Sequence, residues 1–266
     1  QRVLMCLGPE FNEAALFDKD GSFSSAAGYA GSLGTLYPDG MLIRDNAKHK
    51  KTRRASQPAF KTDALKSYVD LLNPIQSERI NELPVDEEFF FYDAIQETLM
   101  DVAARVFIGL DEKSHEAQML HKIFSNINKG LITPLPYNWP FSTFRKSLKA
   151  RESLRDFLTK KIPERRGADS VDMFTRYCNA RDEDGNYLES EDIDGHIAFL
   201  LFAAFDTTTS ALTNILYYLG IHQNWQEKVR EEIYSVNVDT PTFDDVAKMQ
   251  LTEYVFNETL IRSYID

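Results

Sequence analysis

The run IAFLLFAAFDTTTSALTNILYYL, from Ile197 to Leu219, constrains this chain more than any other segment. Nine apolar residues come first, then Asp206, three threonines and Ser210, then a second apolar run. No Pro or Gly interrupts it. Ser190 offers an N-cap just upstream, and Glu191, Asp192 and Asp194 put negative charge where the helix macrodipole favours it. The pattern predicts one helix over about 191–220, roughly 43 Å long at 1.5 Å per residue. It is apolar nearly all round after Gly195, so it is expected to cross the middle of a large protein. The same run is long enough to span a bilayer, but Asp206 near its centre disfavours that reading.

The rest of the chain reads as helices. Apolar spacing predicts them in KTDALKSYVDLLNPIQSERINEL, EEFFFYDAIQETLMDVAARVFIGLD, SHEAQMLHKIFSNINKGL and STFRKSLKARESLRDFLTKKIPERR. Shorter ones follow in SVDMFTRYCNA, NWQEKVREEIYSV and TFDDVAKMQLTEYVFNETLIRSYID. LITPLPYNWPF, with Pro134, Pro136 and Pro140, is a rigid loop. Residues 1–46 read as short apolar pieces broken by turns, with one strand at Arg2–Leu7. The fold class is mainly α with minor β, and residues 1–266 read as a single domain.

Net charge is −11, which argues against nucleic acid as a partner. The two cysteines, Cys6 and Cys178, have no metal-like spacing and read as packing residues in a reducing compartment. No signal peptide or transmembrane span is predicted, and the cytoplasm is the expected location. No initiating Met is present, so the chain is expected to be a fragment or a processed product. His115 and His121 are too far apart for H-E-x-x-H, and no G-x-S-x-G, P-loop or G-x-G-x-x-G occurs.

Two constellations could carry chemistry. Thr and Ser in a helix often bond back to carbonyls one turn earlier, and that needs no function. Asp206 is different, because a buried carboxylate requires a cation, a hydrogen-bond network or a cavity. Small Ala203 and Ala204 precede it, and Ala203 shares a face with Thr207 one turn on. The result is a notch with a proton-handling acid and hydroxyl beside it. The second constellation is KHKKTRR. His49 and Arg53, four apart on a helix, could clamp a carboxylate or phosphate, or form part of a solvated basic face.

AAFDTT, Ala203–Thr208, resembles the oxygen-activation motif in the long central helix of cytochrome P-450 haem-thiolate monooxygenases. KHKKTRRASQPAF resembles the helix whose His-x-x-x-Arg holds the haem propionates, and LYPDGMLIRDNAKH resembles the segment leading into it. The order of the intervening elements is similar too, so the resemblance covers nearly the whole chain. It implies a cytochrome P-450 fold, incomplete at both ends, and haem as cofactor, with His49, Arg53 and Ala203 at the haem. Asp206 and Thr207 become the proton-delivery pair at bound oxygen, and Phe199 and Phe205 line an apolar substrate pocket. The implied reaction inserts one oxygen atom from O2 into an apolar small molecule. Electrons come from a redox partner, a ferredoxin or a flavoprotein reductase. The family's Glu-x-x-Arg is replaced by Glu258 and Arg262, one place further apart. The Cys-bearing haem loop, which supplies the axial thiolate, is absent from the chain, so no metal ligand is assigned. A partial chain is therefore expected, one that can lack an N-terminal membrane anchor. The alternative function is a catalytically inactive helical fragment with at most a binding role.

Overall fold

The computed structural model describes residues 5–31 and 33–262. These form helices α1 (Pro9–Phe17), α2 (Ser25–Tyr29), α3 (Asn46–Ser56), α4 (Thr62–Asn81), α5 (Phe91–Val102) and α6 (His115–Leu131). Then come α7 (Thr143–Arg165), α8 (Met173–Asn179), α9 (Ser190–Ile221), α10 (Gln223–Val236), α11 (Phe243–Val246) and α12 (Gln250–Arg262). Among the described residues the only β pairing is an isolated antiparallel bridge, Arg181 to Tyr187. Most of the expected strand at Arg2–Leu7 lies outside the described residues, and Met5–Leu7 are irregular. Among the described residues the minor β component is that bridge.

α6 and α7 lie along each other and form the most extensive helix pair. α5, α7 and α8 pack against α9, while α10 and α12 pack on its far end. The core is built from Leu120, Phe124 and Ile127 of α6, Leu154, Leu158 and Ile162 of α7, Phe174 and Tyr177 of α8, and Ile193, Ile197 and Ala198 of α9. α6 starts where Ser114 Oγ accepts the Ala117 N–H, and α7 where Ser142 Oγ accepts the Arg145 N–H. α5 runs into a π-helical turn, Ala103–Ile108, which Gly109 closes in the left-handed region (φ 70°).

Four sequence expectations change. First, α1 and α2 form where only turns were read; Ser24 Oγ accepts the Ala27 N–H and caps α2 locally. Second, the N-cap of α9 is Glu189, not Ser190, and no side chain caps it. Arg44 instead pairs with Asp192 in the first turn, at 2.6 Å. Third, the last helix is split in two. Glu232 of α10 accepts the N–H groups of Leu251 and Thr252 at 2.6 and 2.8 Å, so α12 begins afresh there.

Fourth, α9 is not buried along its length. Ile193–Phe199 are buried, but from Phe202 onward most side chains are half-buried or exposed. α9 is long and apolar enough by composition to cross a membrane, but its first half is fixed inside the protein. Asp194 and Arg151, both buried, form an ion pair at 2.6 Å.

Candidate functional site

The segment Leu33–Arg44 joins α9 to α3. Its glycines allow the close approach. A Cβ at Gly40 would lie 2.7 Å from the Phe199 ring, and one at Gly195 would lie 2.8 Å from the Asp39 carbonyl oxygen. Arg44 then locks the junction. Its Nε donates to Asp39 O (3.1 Å), Nη1 to Thr52 Oγ1 of α3 (2.7 Å) and Nη2 to Asp192 of α9 (2.6 Å). One buried guanidinium thereby sets the position of α3 relative to α9.

α3 turns Thr52, Ala55 and Ser56 inward and leaves its cations outside. Lys51 pairs with Asp182 at 3.1 Å, and Arg54 pairs with Glu183. Arg53 has no carboxylate partner among the described residues; its Nη1 lies 4.0 Å from Met41 Sδ. His49, one turn earlier, is half-buried. Among the described residues Arg53 and His49 thus form no ion pair, while Lys51 and Arg54 are paired at the acidic turn.

On α9, Thr207 Oγ1 donates to Ala203 O at 2.6 Å, and Thr209 Oγ1 donates to Phe205 O at 2.9 Å. These are the back-bonds expected of Thr in a helix. They leave the exposed Thr207 hydroxyl with acceptor capacity only, until it rotates. Ala203 is half-buried beside it. Asp206 is exposed by surface area, yet the packed atoms near it push its carboxyl above the usual range by desolvation. Among the described residues no cation offsets that burial. Its charge reaches Tyr37, whose hydroxyl is pushed far up, first by burial, with Arg151 opposing and Asp206 adding.

Aromatic rings fill the space beneath. Tyr37 stacks on Phe202 at 4.8 Å and meets Phe199 edge-on at 6.4 Å, while Phe205 meets Phe124 edge-on at 5.7 Å. The Phe199 ring is buried among Tyr37, Phe202 and Gly40; Phe205 is half-buried. Sequence reading missed Tyr37, Arg44 and Gly195. Gly195 carried a signal, as the glycine at the start of an apolar helix. Arg44 and Tyr37 carried none, since their partners lie far away in sequence.

Haem fits part of this arrangement. Arg53 and His49, without an ion pair among the described residues, suit carboxylate arms, and an apolar, small-residue face on α9 suits a flat ring. Neither described cysteine suits an axial thiolate. Burial pushes the Cys178 thiol up to about 12, and Cys6 lies ahead of α1.

A helical fold with a long central helix bearing Ala-Ala-x-Asp-Thr-Thr beside a cationic helix defines a class of haem proteins. The cytochrome P450 family model matches residues 1–263, and the chain belongs to that family. A putative cytochrome P450 136 of Mycobacterium tuberculosis is 29% identical, over 96% of this chain and 52% of its own length. Cyclooctat-9-en-7-ol 5-monooxygenase of Streptomyces melanosporofaciens is 28% identical, over 92% of this chain and 54% of its own. The solved structure of retinoic acid-bound cyanobacterial CYP120A1 superposes with a TM-score of 0.77 at 28% identity, over 85% of this chain and 52% of that one. The chain spans about half the length of the relatives it matches. Members of the family bind haem.

Proposed function

We propose that this chain is the distal and propionate-binding part of a haem monooxygenase that inserts one oxygen atom from O2 into an apolar small molecule. The observation that carries it is the pairing, on one helix face, of half-buried Ala203 with exposed Thr207, next to an Asp206 that has no cation partner among the described residues. When bound, haem supplies the activation of dioxygen and the transfer of its atom.

His49 and Arg53 would hold the carboxylate arms, with charge-assisted bonds. Ala203 would leave the helix face low enough for a flat ring. Thr207 must give up its bond to Ala203 O before it can donate a proton outward. Asp206 and Thr207 are adjacent, so their side chains diverge by about 100° around the helix. A proton passes between them through solvent and not by direct contact. The raised carboxyl of Asp206 suits it to hold that proton nearer neutral pH than an ordinary aspartate. Phe199 backs the apolar wall and Phe205 lies further along it. A ferredoxin or a flavoprotein reductase supplies the electrons. Two unpaired cysteines support a reducing, cytoplasmic location.

The test is the ratio of product to O2 consumed in the haem-loaded full-length protein. Thr207→Ala is expected to lower that ratio while O2 consumption continues. An unchanged ratio overturns the proton-delivery role. Failure of the wild-type protein to take up haem overturns the whole reading and leaves the inactive-fragment alternative.

A further inference from the structure

We propose that Tyr177 of α8 and His196 of α9, joined by ordered water, are positioning residues for Arg53 near the end of α3. The inference rests on the carboxylate-holding role given to Arg53 above.

The observation behind it is a pair of buried rings whose polar atoms bond to nothing. Tyr177 and His196 are each 1% exposed, and their ring centres lie 6.0 Å apart. Among the described residues the Tyr177 hydroxyl and both His196 nitrogens have no hydrogen-bond partner. Buried side-chain polar atoms are seldom left so. Phe and Leu would fill the same space without stripping water from a hydroxyl and an imidazole. A neutral imidazole offers one N–H donor and one bare acceptor nitrogen, and the phenol adds a donor. Ordered water suits such a set, because it accepts from the phenol and donates to the bare nitrogen.

Both rings sit within reach of α3. The charges of Arg44 and Lys48 reach His196. Burial pushes the Tyr177 hydroxyl up to about 12, with Ser56 beside it and the charge of Arg53 opposing. α8 also packs against the turn Gln57–Phe60 that follows α3. Arg44 fixes Thr52, one turn before Ser56, at 2.7 Å. Ser56 is buried, and its Oγ donates to Arg53 O at 2.9 Å, so the seat of Ser56 sets the seat of the Arg53 backbone. That matters because the Arg53 side chain is exposed and has no carboxylate partner among the described residues. Such a guanidinium is aimed chiefly by its backbone. Arg44 therefore anchors the middle of α3, and the Tyr177–His196 pair supports the end that carries Arg53.

The full-length protein loaded with haem tests this. Haem transfer to excess apomyoglobin reads how well Arg53 holds its carboxylate partner. Tyr177→Phe and His196→Leu are each expected to speed transfer by about fivefold, the loss of one net hydrogen bond. His196→Gln keeps a donor and an acceptor and should restore the wild-type rate. In an Arg53→Ala background Tyr177→Phe should add nothing, whereas a general loosening of the fold would add its full effect. A crystal structure of the wild-type protein should show water within hydrogen-bond distance of both rings. Transfer from Tyr177→Phe at the wild-type rate overturns the inference and leaves the haem reading standing. So does a full added effect in the Arg53→Ala background, a His196→Gln rate equal to that of His196→Leu, or a dry contact between the rings. Arg53→Ala at the wild-type rate overturns the role of Arg53 itself, and this inference with it.

Discussion

Arg151 of α7 grips Asp194 of α9 with two parallel hydrogen bonds, Nη1 to Oδ1 at 3.0 Å and Nη2 to Oδ2 at 2.6 Å. Its Nε donates to Leu36 O at 3.0 Å, so the same guanidinium also holds the loop before α3. Both side chains are buried. Arg151→Met strands the carboxylate and is expected to cost about 3–5 kcal/mol. Arg151→Met with Asp194→Leu should recover most of that loss. Urea midpoints of the three proteins check this, and a double variant as unstable as the single one would contradict it.

His196 gives a pH dependence. Burial first, then the charge of Arg44, pushes it from 6.5 down to about 4, with Asp192 opposing and Lys48 adding. The folded chain therefore binds fewer protons than the unfolded chain between those values. Stability is full above pH 6.5 and falls as the pH drops toward 4, by on the order of 3 kcal/mol in total. Thermal melts of wild type and His196→Phe across that window check the sign. The variant should lose much of the slope.

Gly195→Ala separates local propensity from tertiary fit. Helix propensity alone favours Ala by about 1 kcal/mol. The added Cβ, however, meets Asp39 side-chain and backbone atoms. Backbone atoms cannot rotate away, so overpacking is expected to win, with a net loss of about 1–3 kcal/mol. A raised midpoint on chemical denaturation would show that the Asp39 loop yields.

Thr207→Ala should raise stability by about 0.5 kcal/mol, because Thr is a poor helix former and its site is exposed. Asp206→Asn should also stabilise, since it removes a desolvated carboxylate that no cation among the described residues offsets. Calorimetric midpoints of both variants test this.

Arg44 and Arg53 should behave oppositely although nine residues apart. Arg53→Ala leaves stability within about 0.5 kcal/mol, since its guanidinium has no carboxylate partner among the described residues. Arg44→Ala unties Asp39, Thr52 and Asp192 together and should cost several times more. Haemin titration should show the reverse priority, with Arg53→Ala weakening uptake in a protein that remains folded.

The sequence alone determined the helix count along most of the chain, the proline loop and the interrupted central helix, because each rests on local periodicity and breakers. It also singled out Ala203, Asp206, Thr207, His49 and Arg53 as candidates, because each pattern lies within a single helix. Tertiary structure decided what such patterns cannot encode. Apolar residues all round a helix predicted burial, yet only the first half of α9 is covered; burial depends on which neighbours exist, not on composition. Basic residues in a row looked equivalent, yet Lys51 and Arg54 meet an acidic turn far along the chain while Arg53 does not. Arg44 and Arg151 were silent in sequence for the same reason. Their partners on α9 lie 148 and 43 residues away, and only the packed fold brings them within hydrogen-bond distance.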